Sequence, residues 1–281
     1  MAQVTRRTFV KLAAGTAAFG LPRFALAEDQ AAQAPGGFLI GIQSYSLRGF
    51  DANKAIEISK ELGCEHIEFF GGHFGLNSSP EEIQARKSKM SELGMRISAH
   101  GVNGFGKDHE ANKKVFEFAK QAGIRNISAD PSEDAFESLD KLVKEYDIRI
   151  AIHNHGPGAR YDKVADVLKA IEGHDERIGA CADLGHYIRS AEDPVKVINL
   201  LEGRLYGIHL KDFDEPKGNA KGTILGKGQL DVVAVFKALK KVNFPADGAL
   251  SIEYEENANN PVEDLKQCMQ IAKEGAAQAV S

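Results

Sequence analysis

Eight short apolar runs recur along this chain at intervals of roughly 20–45 residues, the spacing of strand–helix units. They lie at 37–45, 66–70, 96–100, 126–130, 149–153, 178–183, 205–210 and 249–254. Between them come polar turn residues and amphipathic segments. Residues 79–94 show the pattern: Ser79 as N-cap, Pro80 in the first turn, Glu82 completing a capping box, and Ile83, Met90 and Leu93 on one face. Gly63, Gly94 and Gly123 stand where helices end in a left-handed residue. Spans 108–122, 133–146, 161–172, 193–202, 231–242 and 261–277 also read as helices. Short strands alternating with helices imply a parallel sheet. Eight such units in about 240 residues favour closure into a (β/α)8 barrel. The other arrangement, an open doubly wound sheet, would carry a glycine-rich phosphate loop after its first strand. Here "IQSYSLRGFD" follows, with no GxGxxG.

The first 27 residues stand apart from this period. "TRRTFVK" precedes an apolar stretch, Leu12 to Leu21, and "ALA" closes it at Ala25 to Ala27. Basic start, apolar middle and small-residue end are the order of an export signal, and Arg6-Arg7 gives it the twin-arginine form. Ten apolar residues fall short of the roughly 20 that span a bilayer, so no stable membrane anchor is expected. The expected organisation is a signal at 1–27, a linker at 28–37 and one barrel at 38–281. The expected partner is the twin-arginine export machinery, and the expected location periplasmic or extracellular. Loss of Arg6, Arg7, Lys11 and Arg23 with the signal lowers the formal charge from −5 to −9. So acidic a protein is poorly suited to gripping nucleic acid. Cys64, Cys181 and Cys268 are too few and too sparse for a disulfide framework.

In a barrel the reacting groups come from the C-terminal ends of the strands. The runs end in Glu68, His100, Asp130, His153 with His155, Asp183, His209 and Glu253. Solvation would be met equally by Ser, Thr, Asn or Lys, yet nearly all of these are metal-ligand or acid–base types. His153, Asp183, His209 and Glu253 come from consecutive strands and can converge on one side of the mouth. Two imidazoles and two carboxylates match one divalent cation, and mixed nitrogen and oxygen ligands suit Mn²⁺, Zn²⁺, Co²⁺ or Fe²⁺ better than Ca²⁺ or Mg²⁺. His155, two residues past His153, points the same way if the strand persists. We place His153 at the metal, nearer the strand end, and His155 toward substrate; the reverse assignment stays open.

The motifs "ADLGH" (182–186), "GIHLKD" (207–212), "LGKGQLD" (225–231) and "LSIEYE" (250–255) resemble the sugar phosphate isomerase/epimerase family of xylose isomerase-like barrels. "GIQSYSLR" (41–48) and "HIEFFGG" (66–72) resemble its first two strands, and the resemblance covers roughly 38–275. It implies a (β/α)8 barrel with one divalent metal, Mn²⁺ foremost. The implied ligands match Asp183, His209 and Glu253, with a Glu on the fifth strand where this chain has His153.

The expected chemistry is isomerisation or epimerisation of a sugar by proton abstraction beside a carbonyl. Glu253 is the expected base, with His155, Glu68 or Lys211 returning the proton. His100, His186, Gln43 and Tyr45 are the expected substrate contacts, and the long loop 211–228 an expected lid. The same base can drive β-elimination from a keto-sugar. The alternative outside catalysis is an inert secreted sugar-binding protein.

Overall fold

The computed structural model describes residues 35–281. The signal segment 1–27 and most of the linker lie outside the described residues. Eight parallel strands close into a barrel: β1 (Gly41–Gln43), β2 (His66–Phe69), β3 (Arg96–Phe105), β4 (Asn126–Pro131), β5 (Arg149–His153), β6 (Ile178–Asp183), β7 (Leu205–Leu210) and β8 (Ala249–Ile252). β1 and β8 seal the ring, with Gly41 opposite Ser251 and Ile42 opposite Ile252.

Helices α1 (Ala52–Glu61), α2 (Pro80–Glu92), α3 (His109–Ala122), α4 (Phe136–Tyr146), α5 (Val164–Ile171), α6 (Leu184–Arg189), α7 (Pro194–Leu200), α8 (Val232–Lys241) and α9 (Val262–Gln278) follow the strands. The capping box at Ser79 and Glu82 is present. Of the boundaries that depart from the sequence reading, two bear on the site. A 3₁₀ turn, Ser44–Leu47, ends β1 early because Gln43 turns its side chain back onto the amide of Tyr45. The short helix α6 starts on Asp183 itself, which caps it.

The inner face of the barrel explains where glycine is required. A Cβ on Gly41 would lie 2.1 Å from His66 Nδ1 and 2.4 Å from the His66 carbonyl oxygen. Backbone cannot yield at that distance, so Gly41 makes room for a fully buried imidazole at the base of the barrel. His66 Nε2 lies 3.3 Å from the Leu39 carbonyl, while Nδ1 has no partner.

Burial, aided by the charge of Arg96, pushes the His66 imidazole down to about 4. The folded chain therefore resists a proton that the unfolded chain accepts near pH 6.5. Stability is full above pH 6.5 and falls as the pH drops toward 4, by an amount on the order of 3 kcal/mol. A His66→Gln variant should show a flatter unfolding free energy than the parent between pH 6.5 and 4 in urea titrations. Parallel profiles across that window would contradict the assignment.

Candidate metal centre

Asp183 shows how the local sequence builds the site. It ends β6 and caps α6, its Oδ1 accepting the His186 amide at 2.7 Å. That bond turns Oδ2 toward the barrel axis, 3.6 Å from His153 Nε2, 3.8 Å from His209 Nδ1 and 3.3 Å from Lys211 Nζ. Asn154, between the two histidines of "HNH", clamps the neighbouring strand end. Its amide nitrogen donates to the Asp183 carbonyl at 3.0 Å, and its Oδ1 accepts the Asp183 amide at 2.8 Å. Sequence reasoning passed over Asn154; its place between two candidate ligands was the available signal. Gly185 is small because a Cβ there would press on Lys211 at 2.7 Å.

The four residues from consecutive strands do converge. One ligand atom from each of His153, Asp183, His209 and Glu253 lies within 4.8 Å of every other, and all four residues are buried. His209 Nδ1 is 3.0 Å from His153 Nε2 and 3.1 Å from Glu253 Oε2. Lys211, expected to return a proton, points inward to the cluster. Its ammonium donates to Asp183 Oδ2, to Glu253 Oε2 at 3.0 Å and to Glu255.

The electrostatics of this knot are one-sided. Burial alone would raise Asp183 and Glu253, yet both carboxyls are held below the ordinary range. The Lys211 ammonium carries that effect. His186 is first among the charges acting on Asp183, but burial keeps its own ring down to about 3 and hence neutral. Burial would likewise lower His209. Cys181, whose thiol burial keeps neutral, cannot lift it; the carboxylates of Glu68 and Glu253 do, to well above its ordinary value. The cluster therefore draws positive charge.

The donor set fits a divalent ion. His153, Asp183, His209 and Glu253 supply two nitrogens and two carboxylate oxygens, a mixed set suited to Mn²⁺, Zn²⁺, Co²⁺ or Fe²⁺. Two imidazole nitrogens 3.0 Å apart repel if both bear lone pairs, and a shared cation or proton removes the conflict.

Other expected residues fall into two groups. His186 and His155 stand at the cluster: their rings lie 6.1 and 4.6 Å from that of His153. His186, Lys211, Phe213, Thr223, Glu253 and Glu255 help line a 220 Å³ cavity beside it. Loop 211–228 roofs this cavity through Ala220, Gly222 and Thr223. Asp212 secures the loop, accepting the amides of Phe213, Gly228, Gln229 and Leu230 at 2.8–3.0 Å. Arg189, which sequence reasoning missed, ties Gly218 of the same loop to α6.

His100, Glu68, Gln43 and Tyr45 are placed elsewhere. The β2–β3 register slips between Ile67 and Glu68, so His100 pairs with Phe69. One residue of slip exchanges faces. His100 therefore packs against Phe74 and Phe118 in the helix layer, its Nε2 2.8 Å from the Phe74 carbonyl. Glu68 points inward but lies fully buried beneath His209, bonded to Ser128 and Ser251. Gln43 is spent on the Tyr45 amide and the Gly101 carbonyl. Tyr45, 38% exposed, sits on the turn after β1 against Phe70 and Arg48.

Removing a partner outside the ligand set already costs about 10–100-fold in metal affinity, so His153→Ala or Asp183→Asn should cost at least about 100-fold. Chelator competition with Zn²⁺ or Mn²⁺ measures this. Unchanged affinity in both variants would contradict the assignment.

A family model described as xylose isomerase-like TIM barrel matches residues 56–274. The 3-oxo-isoapionate decarboxylase of Pectobacterium atrosepticum is 24% identical over 180 residues, covering 58% of this chain and 63% of that one. The inosose dehydratase of Clostridium botulinum is 29% identical over 157 residues, covering 50% of this chain and 52% of that one. The chain thus spans between half and two thirds of the length of these curated relatives. Among solved structures, the 3-keto-D-glucoside 4-epimerase of E. coli superposes with a TM-score of 0.68 at 16% identity, covering 84% of this chain and 99% of that one. That likeness concerns the fold. With eight strands closed around an inward-facing polar mouth, the chain belongs to the xylose isomerase-like TIM barrel family.

Proposed function

We propose that this protein is a divalent-metal-dependent isomerase or epimerase of a sugar or polyol, acting by proton abstraction beside a carbonyl. The observation that carries the reading is the four-residue cluster opening onto a small cavity. At 220 Å³ the cavity is smaller than the roughly 300–1,000 Å³ of drug-sized pockets, a size suited to a compact substrate. The names of two relatives, a 3-oxo-isoapionate decarboxylase and a 3-keto-D-glucoside 4-epimerase, support a carbonyl-bearing substrate.

His153, Asp183, His209 and Glu253 would hold the ion, with Mn²⁺ our first choice. Bound there, it would supply Lewis-acid polarisation of a substrate carbonyl. Glu253 is the base: it lines the cavity, and its contacts to His209 and Lys211 both use Oε2, which leaves Oε1 to take the proton. Lys211 keeps Glu253 ionised. His155, whose ring lies 5.7 Å from that of His186 on the cavity wall, returns the proton. His186 and Phe213 orient the substrate at the cavity wall. Loop 211–228, held by Asp212 and Arg189, excludes water from above.

One observation favours a second reading, β-elimination. Lys211 Nζ stands 3.0 Å from Glu253 Oε2, so a cationic hydrogen-bond donor that can stabilise a departing hydroxyl sits on the same side as the base. The dehydratase relative points the same way.

Incubation with a panel of keto-sugars in D₂O tests both. Deuterium at the carbon beside the carbonyl is the expected result, an unsaturated product would select elimination, and chelator-insensitive turnover would overturn both. At saturating metal, Glu253→Gln should lower kcat by about 10²–10⁴-fold, the range for a general base. Sugar binding without turnover or exchange would favour an inert binder.

We further propose export by the twin-arginine route, on the strength of Arg6-Arg7 and the apolar stretch that follows. Replacing both arginines by lysine should hold the precursor in the cytoplasm on fractionation; undiminished export would overturn this.

A further inference from the structure

Glu68 is a fully buried carboxylate that the proposed reaction leaves without a task. An ionised carboxylate inside a barrel is costly unless every oxygen finds donors. Here three strands supply them. Ser128 Oγ of β4 donates to Oε1 at 2.5 Å. Ser251 Oγ of β8 donates to Oε2 at 3.1 Å. His209 Nε2 of β7 faces Oε2 at 3.0 Å.

The last contact fixes more than a position. A carboxylate that already receives two hydroxyl donors has only acceptors to offer, so the imidazole nitrogen facing it carries the proton. A protonated imidazole that binds a metal ion gives up one proton: an ion at the nitrogen facing the other ligands would take that proton's place, leaving the ring neutral with its one N–H on Glu68. In His209 that nitrogen is Nδ1. It faces His153 Nε2 at 3.0 Å, Glu253 Oε2 at 3.1 Å and Asp183 Oδ2 at 3.8 Å. His153 has no such guide: its Nδ1 is buried without a partner.

We propose that Glu68 is a positioning residue that locks His209 as the Nε2–H tautomer and so presents Nδ1 to the metal ion. This rests on the metal reading of the site given above. Ser128 and Ser251 hold Glu68 in turn, and His209 stands between Glu68 and the other three ligands. Glu68 therefore acts on metal affinity and takes no part in moving a substrate proton.

The test compares Zn²⁺ dissociation constants by chelator competition for the parent, Glu68→Gln, Glu68→Asp and the double variant Ser128→Ala/Ser251→Ala, with thermal unfolding to confirm folding. Glutamine can donate to Nε2 and favour the wrong tautomer. The expected result is affinity weakened about 10–100-fold in Glu68→Gln, as for other partners of metal-binding histidines. Glu68→Asp should recover part of it, and the serine double variant should show a smaller loss of the same sign. Turnover of Glu68→Gln should return when the metal is raised to saturation. If Glu68→Gln does not fold, the serine double variant carries the comparison, and an unchanged affinity in it overturns the proposal. A folded Glu68→Gln that binds Zn²⁺ within about twofold of the parent overturns it alone, since the known effect is larger. So does a variant that binds as tightly but stays inactive at saturating metal, because Glu68 would then act on a proton. A parent protein that binds no divalent ion overturns this proposal and the metal reading together.

Discussion

Four electron-rich side chains share the mouth of this barrel, and the crowding of their donor atoms is the constraint around which the upper half of the molecule is arranged. His153, Asp183, His209 and Glu253 bring their ligand atoms within 4.8 Å of one another in a buried setting. Such a group is unstable without compensating positive charge. Lys211 supplies part of it from the side, bonded to both carboxylates.

Much of the surrounding structure serves to hold those groups in place. Asp183 divides its two oxygens between a helix cap and the cluster. Asn154 ties β5 to β6 at the level of the ligands. Asp212 gathers four backbone amides and fixes the loop that roofs the cavity, so the aspartates of "ADLGH" and "GIHLKD" have different tasks. Gly228 of the "LGKGQLD" motif belongs to the same latch: a Cβ there would meet the Phe213 carbonyl oxygen at 2.2 Å. These contacts turn short sequence motifs into a rigid rim.

The barrel and the convergence of its four candidate ligands were legible because both rest on local signals. Strand–helix alternation gives the closed parallel sheet, and the barrel rule directs attention to the last residue of each strand. His153, Asp183 and His209 are those residues; Glu253 follows β8 by one. What failed to show depends on distant pairing. His100 looked like a pocket residue until the slip beside Glu68 turned it to the helix layer. No sequence pattern announces a one-residue irregularity between strands. Glu68 ended an apolar run as the ligands do, but its partner His209 lies 141 residues away, and only closure of the barrel brings them together. Tyr45 stands on a turn and not on the strand because a side-chain cap from Gln43 ended β1 two residues early. Lys211 was singled out for its chemistry, but its three carboxylate partners arrive from separate elements and could not be foreseen.

The most direct measurement of the central claim is anomalous diffraction from crystals grown with Zn²⁺, recorded at the zinc edge. One peak should appear at the mouth, about 2.0–2.2 Å from His153 Nε2, Asp183 Oδ2, His209 Nδ1 and Glu253 Oε2. A well-occupied ion bound elsewhere, with these four side chains left uncoordinated, would contradict the account.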